Sequence, residues 1–166
     1  VTGVHTCARP LYCGHNIMKA CIGQNGISER KHEGDLCTPT CFYPLRRVFY
    51  RADRIARPVT TLPLSPIAPT DGWCDDPASA DYNRLVTLPH PARHERLWRD
   101  DHVYDLLVVI GYNDEPAHPG AGSAIFMHLQ RPDRAPTEGC VALSESDLRT
   151  VLAAKAQAIT IHPRGV

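Results

Sequence analysis

Two side chains able to do covalent chemistry stand close together in the last third of the chain. His128 lies near the end of the apolar stretch Ser123–Leu129, and Cys140 opens the apolar run Cys140–Leu143 twelve positions later. If adjacent strands bring imidazole and thiol together, the base holds the thiol as thiolate, down from an ordinary pKa of about 8.5, and the thiolate attacks a carbonyl. Gly139, directly before the thiol, permits a sharp turn and lets a substrate carbonyl approach the main chain. The amides of Gly139 and Cys140 are then placed to donate to a developing oxyanion. The same spacing also fits an inert buried thiol and a satisfied core histidine.

Other constellations are weaker. Cys37 and Cys41 with His32 upstream suggest half of a zinc site, but no second pair at finger-like spacing follows, and Cys13 with His15 reads as incidental. Asp75 and Asp76 precede Pro77, where an acid more often caps a turn. Ser123 is a candidate for lining a cleft, with a plain strand hydroxyl as the alternative. No metal or cofactor is expected. The seven cysteines leave at least one thiol without an intramolecular partner, and both a bridged, exported chain and a reduced one fit them.

The elements that must position these groups read as mostly β. Fifteen prolines and 11 glycines in 166 residues rarely let helical periodicity survive ten positions. Strands are expected at Val4–Cys7, Asn16–Ile22 and Phe42–Tyr50, the last broken at Pro44. Arg57–Pro69, with four prolines, reads as an extended surface crossing. Tyr104–Tyr112 is rich in branched residues without polar alternation, as for a central strand covered on both faces, and Ser123–Leu129 is a second. A helix is predicted after Ser144, whose hydroxyl can cap it with Asp147 three residues on, followed by a strand at Ala158–His162. A shorter helix is predicted near Pro91–Arg99, with Glu95 and Arg99 turned outward.

Length gives about one domain over residues 1–166. Eighteen basic against 18 acidic side chains cancel, which argues against nucleic-acid binding through bulk charge. No apolar run approaches the roughly 18 residues of a membrane span. The chain opens on Val1 without a basic-then-apolar leader, so its terminus does not give a location.

With those motifs in hand, the runs at 122–129 and 136–143 resemble the catalytic segment of the L,D-transpeptidase (YkuD-like) family of bacterial cell-wall enzymes. Upstream, Lys31–Asp35 with Thr38-Pro39, Tyr50–Arg54, Asp71–Pro77, Tyr82–Arg84, Trp98–Asp101 and Tyr104-Asp105 resemble one branch of it, so the likeness covers roughly residues 20 to 160. It implies a mostly β, sandwich-like domain of mixed sheets with one or two short helices, located in the cell envelope or periplasm. It further implies that Cys140 is acylated by a peptidoglycan stem peptide, that His128 is its base, and that the carbonyl of Leu129 orients the ring. The donor would be cleaved after its third residue, diaminopimelate. An amine acceptor then gives transpeptidation, and water gives carboxypeptidase or amidase action. A carbapenem would acylate the same thiol. A wall-binding module with a silent thiol is the reading of another class.

Three departures from the family pattern stand out. Thr137-Glu138-Gly139-Cys140 lacks the histidine that many members carry before the glycine, leaving His128 as the only base. Ala142 replaces the polar residue common two positions after the nucleophile, and Arg131 or Arg134 is a candidate to pair with a substrate carboxylate in its stead, with a solvated loop charge as the alternative for each. Leu36, Cys37 and Cys41 stand where relatives commonly have glycines. Ser123, Arg131, Arg134, Thr137 and Glu138 are the expected substrate-binding set.

Overall fold

The computed structural model describes residues 8–163; the strand expected at Val4–Cys7 lies outside them. The chain begins with β1 (Ala8–Cys13) and β2 (Asn16–Cys21), paired antiparallel through Gly14 at φ +58. Two short strands follow, β3 (Ile27–Ser28) and β4 (Thr38–Pro39), and then the long β5 (Cys41–Tyr50). Pro44 does not break β5 as expected. It pairs with Ala158, its carbonyl accepts from Gly111 N–H at 2.8 Å, and the ladder shifts register beyond it, so the missing N–H is absorbed at an irregularity.

The proline-rich stretch yields only β6 (Leu64–Pro66). Next come β7 (Asp71–Cys74), β8 (Leu85–Thr87) and β9 (His94–Arg96), which form a small antiparallel sheet in the order β8-β7-β9. The helix predicted at 91–99 is therefore not formed. Glu95 pairs across to Trp73 instead, and the prolines at 89 and 91 favour an extended approach. The last elements are β10 (Leu106–Ile110), β11 (Phe126–Leu129), β12 (Val141–Leu143), α1 (Glu145–Ala153) and β13 (Ala158–Ile161).

The main sheet runs β1-β2-β12-β11-β10-β5-β13, with β6 beside β5. Among the described residues the architecture is mostly β with one helix and mixed sheets, as read, but its layers are unequal: one large sheet carries everything else. Every residue of β10, β11 and β12 is buried, which explains their apolar composition without alternation. One face of the sheet presents Val108, Met127, Leu129, Val141 and Leu143 to Leu148, Val151 and Leu152 of α1. The helix starts where predicted, Ser144 Oγ accepting from Asp147 N at 3.1 Å.

The other face presents Phe49, Leu107, Val109 and Phe126 to Trp73, Leu97 and Tyr104. Trp73 and Tyr104 both meet the Phe126 ring edge-on, at 5.1 and 5.9 Å. The small sheet is thus anchored over β11, and the candidate residues His128 and Cys140 lie on this side. Among the described residues, no helix is long and apolar enough to cross a membrane.

Candidate active site

Strand pairing decides whether His128 and Cys140 can work together. β11 and β12 are parallel neighbours, with Met127 opposite Val141 and His128 opposite Ala142. Extended back by one step, the register sets Cys140 beside Phe126, on the same face as His128. Strand rise and spacing put the two Cα atoms roughly 8 Å apart, close enough for the side chains to converge. Both line one polar cleft of about 600 Å³.

The connection from 130 to 140 returns the chain to the same end of the sheet without a helix. It is held by Thr137, whose N–H donates to Ile22 O and whose carbonyl accepts from Gln24 N, both at 2.9 Å. Gly139 has φ +139, and a Cβ there would lie 2.8 Å from Cys37 O. We therefore expect Gly139→Ala to lose about 1–3 kcal/mol through backbone strain and collision, read as a lowered Tm in thermal unfolding. Thr137 also braces the turn from inside: its Oγ1 donates to Cys140 O at 2.6 Å and accepts from Gly139 N at 3.1 Å. The Gly139 amide expected to serve an oxyanion is thus engaged by Thr137 in the ligand-free protein.

His128 Nδ1 lies 2.9 Å from Leu129 O. A carbonyl only accepts, so Nδ1 carries the proton and Nε2 is left with a lone pair. Tyr104 packs edge-on against the imidazole at 5.4 Å, fixing the ring. The thiol of Cys140 donates to Ala124 O at 3.2 Å and accepts from Phe126 N at 3.4 Å, over the start of β11. Ala124, at φ +53, ends the extended run that the sequence suggested from Ser123. Its own N–H is fixed by Asn83 Oδ1, which also takes Trp73 Nε1–H.

Charge placement corrects one expectation. Burial, reinforced by the Glu95 carboxylate, pushes the Cys140 thiol up to about 12, and burial also pulls His128 down to about 4, with Arg99 and Arg131 opposing a positive ring. The resting pair is a thiol beside a neutral imidazole, not a thiolate beside an imidazolium. The unfolded chain takes a proton on histidine near pH 6.5 that the folded chain refuses until about pH 4. This contribution is whole above pH 6.5 and is lost, on the order of 3 kcal/mol, as pH falls toward 4. Urea midpoints should therefore drop over that window, and less steeply in His128→Gln.

The remaining expected residues separate into two groups. Ser123, Arg131, Thr137 and Glu138 line the cleft, Ser123 with its Oγ donating to Glu33 Oε2 at 2.8 Å. Arg134 does not line it; it sits exposed at φ +55, and its carbonyl receives the Cys21 thiol at 3.5 Å. Cys37 is turned toward Asn25 O and Asp35 O, and Cys41 is exposed. Cys13, Cys37, Cys41, Cys74 and Cys140 are free thiols.

Among the cleft residues that the sequence reading did not assign to the site are Glu95, Arg99 and Tyr104. Tyr104 OH donates to Glu95 Oε1 at 2.6 Å, and Arg99 grips Asp101 through two hydrogen bonds of 2.8 and 2.6 Å. Two upstream motifs meet to hold this segment: Arg51 lies 3.5 Å over the Trp98 ring and donates to Arg99 O, while Arg54 donates to Asp100 O and Asp101 O. The only sequence signal for an extended segment was Pro89 and Pro91 just upstream, because Glu and Arg themselves favour helix.

A family model for the L,D-transpeptidase catalytic domain, YkuD, matches residues 14–156. The chain belongs to that family, whose members act on cell-wall peptidoglycan. No curated protein and no solved structure matches it.

Proposed function

We propose that the protein is a cysteine-dependent L,D-transpeptidase that acts in the bacterial cell envelope on peptidoglycan stem peptides through a thioester on Cys140. The observation that carries this reading is the Leu129 carbonyl at 2.9 Å from His128 Nδ1, which leaves Nε2 unprotonated on the strand beside the nucleophile. In the first half, His128 Nε2 takes the Cys140 proton as sulfur attacks the carbonyl of the third stem residue. The Cys140 amide supplies oxyanion stabilisation, joined by that of Gly139 if substrate displaces Thr137 Oγ1. His128 then gives its proton to the departing D-Ala amine. In the second half, an amine attacks the thioester and the sulfur is released.

The Leu129 carbonyl supports the positively charged ring between these steps, which offsets part of the cost of its burial. Arg131 and Glu138 at the rim supply charges for the stem peptide's own carboxylates and ammonium. Hydrolysis of the same bond is a second reading, favoured by Ala142: opposite His128 it is buried and offers no polar group to an acceptor. Incubation with tetrapeptide muropeptides distinguishes them. Cross-linked dimers are expected; trimmed tripeptides alone would make the enzyme a carboxypeptidase, and no product at all would leave a wall-binding module.

A further inference from the structure

Among the described residues, four carboxylates line the cleft. Glu33 Oε2 receives hydroxyl hydrogen bonds from Tyr82 at 2.5 Å and Ser123 at 2.8 Å. Asp75 pairs with Arg93 at 3.0 Å. Glu138 is exposed at the rim. Glu95 is different. It is half-buried beside the nucleophile, its Oε1 takes the Tyr104 hydroxyl, and its ion pair is a long one: Arg99 Nη1 stands 3.8 Å away while Nε and Nη2 of the same guanidinium hold Asp101.

In the first half of the reaction such a group is a liability. Its negative charge, after burial, is the main influence opposing ionisation of Cys140. A carboxylate kept in that position is useful only where positive charge arrives, and the group that arrives positive is the acceptor, since an alkylamine near neutral pH is an ammonium ion. We propose that Glu95 is the receptor and proton acceptor for the acceptor's ammonium group, so that the cleft favours a protonated primary amine over water in the second half-reaction. This rests on the reading of Cys140 as the acylated residue.

The proton count requires such a group. An ammonium that ends as an amide nitrogen with one hydrogen gives up two protons. The C–S bond breaks as the C–N bond forms, so the leaving sulfur needs one proton back, and His128 carries it from nitrogen to sulfur. The other must go elsewhere. Glu95 takes it and releases it to solvent through the open cleft. Burial holds the Glu95 carboxyl above the ordinary glutamate range, which brings it closer to a proton donor of this kind. Tyr104 links the two acceptors physically, its hydroxyl on Glu95 and its ring edge-on against His128.

The test follows the partition of the acyl-enzyme. Full-length protein is given a tetrapeptide muropeptide as donor and glycinamide as the amine probe, and mass spectrometry reads the ratio of tripeptidyl-glycinamide to free tripeptide. Glu95→Gln should lower that ratio at least tenfold, and Glu95→Asp, with its carboxylate withdrawn by one methylene, should fall between Gln and the parent. A ratio in both variants equal to the parent's overturns the role of Glu95 while leaving the nucleophile assignment intact. Failure of the parent to form any thioester at Cys140 overturns both together.

Discussion

Cys140→Ala should yield neither cross-linked dimers nor trimmed tripeptides, a loss of about 10^4-fold or more, because no other group in the cleft can form the thioester. The expected retention of fold has a specific basis. Cys140 is only 8% exposed, but it is a small side chain at the edge of the cleft and makes two weak hydrogen bonds, to Ala124 O and from Phe126 N. Replacing it by a methyl group costs about 1 kcal/mol. Near-parent Tm with lost product formation is the expected pair of results, read by calorimetry and chromatography of muropeptides. Residual product formation near the parent rate would mean that another residue attacks.

His128→Ala should slow thioester formation by about 100-fold or more, the usual scale for a positioned base. The size of the effect follows from the resting charge state. With the thiol pushed up to about 12, there is almost no spontaneous thiolate at neutral pH, so attack depends on transfer to Nε2 as the carbon–sulfur bond forms. Acylation should be nearly level from about pH 5 to 9 in the parent, instead of rising through the ordinary thiol range. Stopped-flow or quenched mass measurements of the acylation rate in the variant check this, at a temperature well below its Tm because the ring also packs against Tyr104. Acylation at the parent rate would remove His128 from the chemistry.

The apolar framework of the fold was legible because burial leaves a direct mark on composition. The run at 104–112 contains no polar alternation, and β10 is covered on both faces; Ser144 and Asp147 cap the helix through the bond that their spacing suggested. Local patterns were overruled where pairing decided. The stretch 91–99 could be written as a helix, but Glu95 finds Trp73 across a strand pair, and that contact is invisible one segment at a time. Pro44 is similar, since its tolerance depends on the irregularity against β10.

The candidate site divides in the same manner. His128, Gly139 and Cys140 could be read because an imidazole, a turn glycine and a thiol sit on neighbouring strands with little chain between them. Their electrostatics could not. The neutral resting pair depends first on the burial of both groups and then on Glu95 of β9 and Arg99 just beyond it, and the Gly139 amide is occupied by a hydroxyl only two residues away. Arg131 and Arg134 looked interchangeable in sequence, yet only Arg131 lines the cleft, while Arg134 is exposed outside it on a left-handed backbone.

The most direct measurement is intact mass followed by peptide mapping after exposure to a carbapenem, whose strained amide carbonyl acylates an activated thiol. One adduct is expected, on the peptide that contains Cys140, with none in Cys140→Ala. An unmodified parent protein, or an adduct carried by Cys37 or Cys41 instead, would contradict the assignment of Cys140 as the nucleophile.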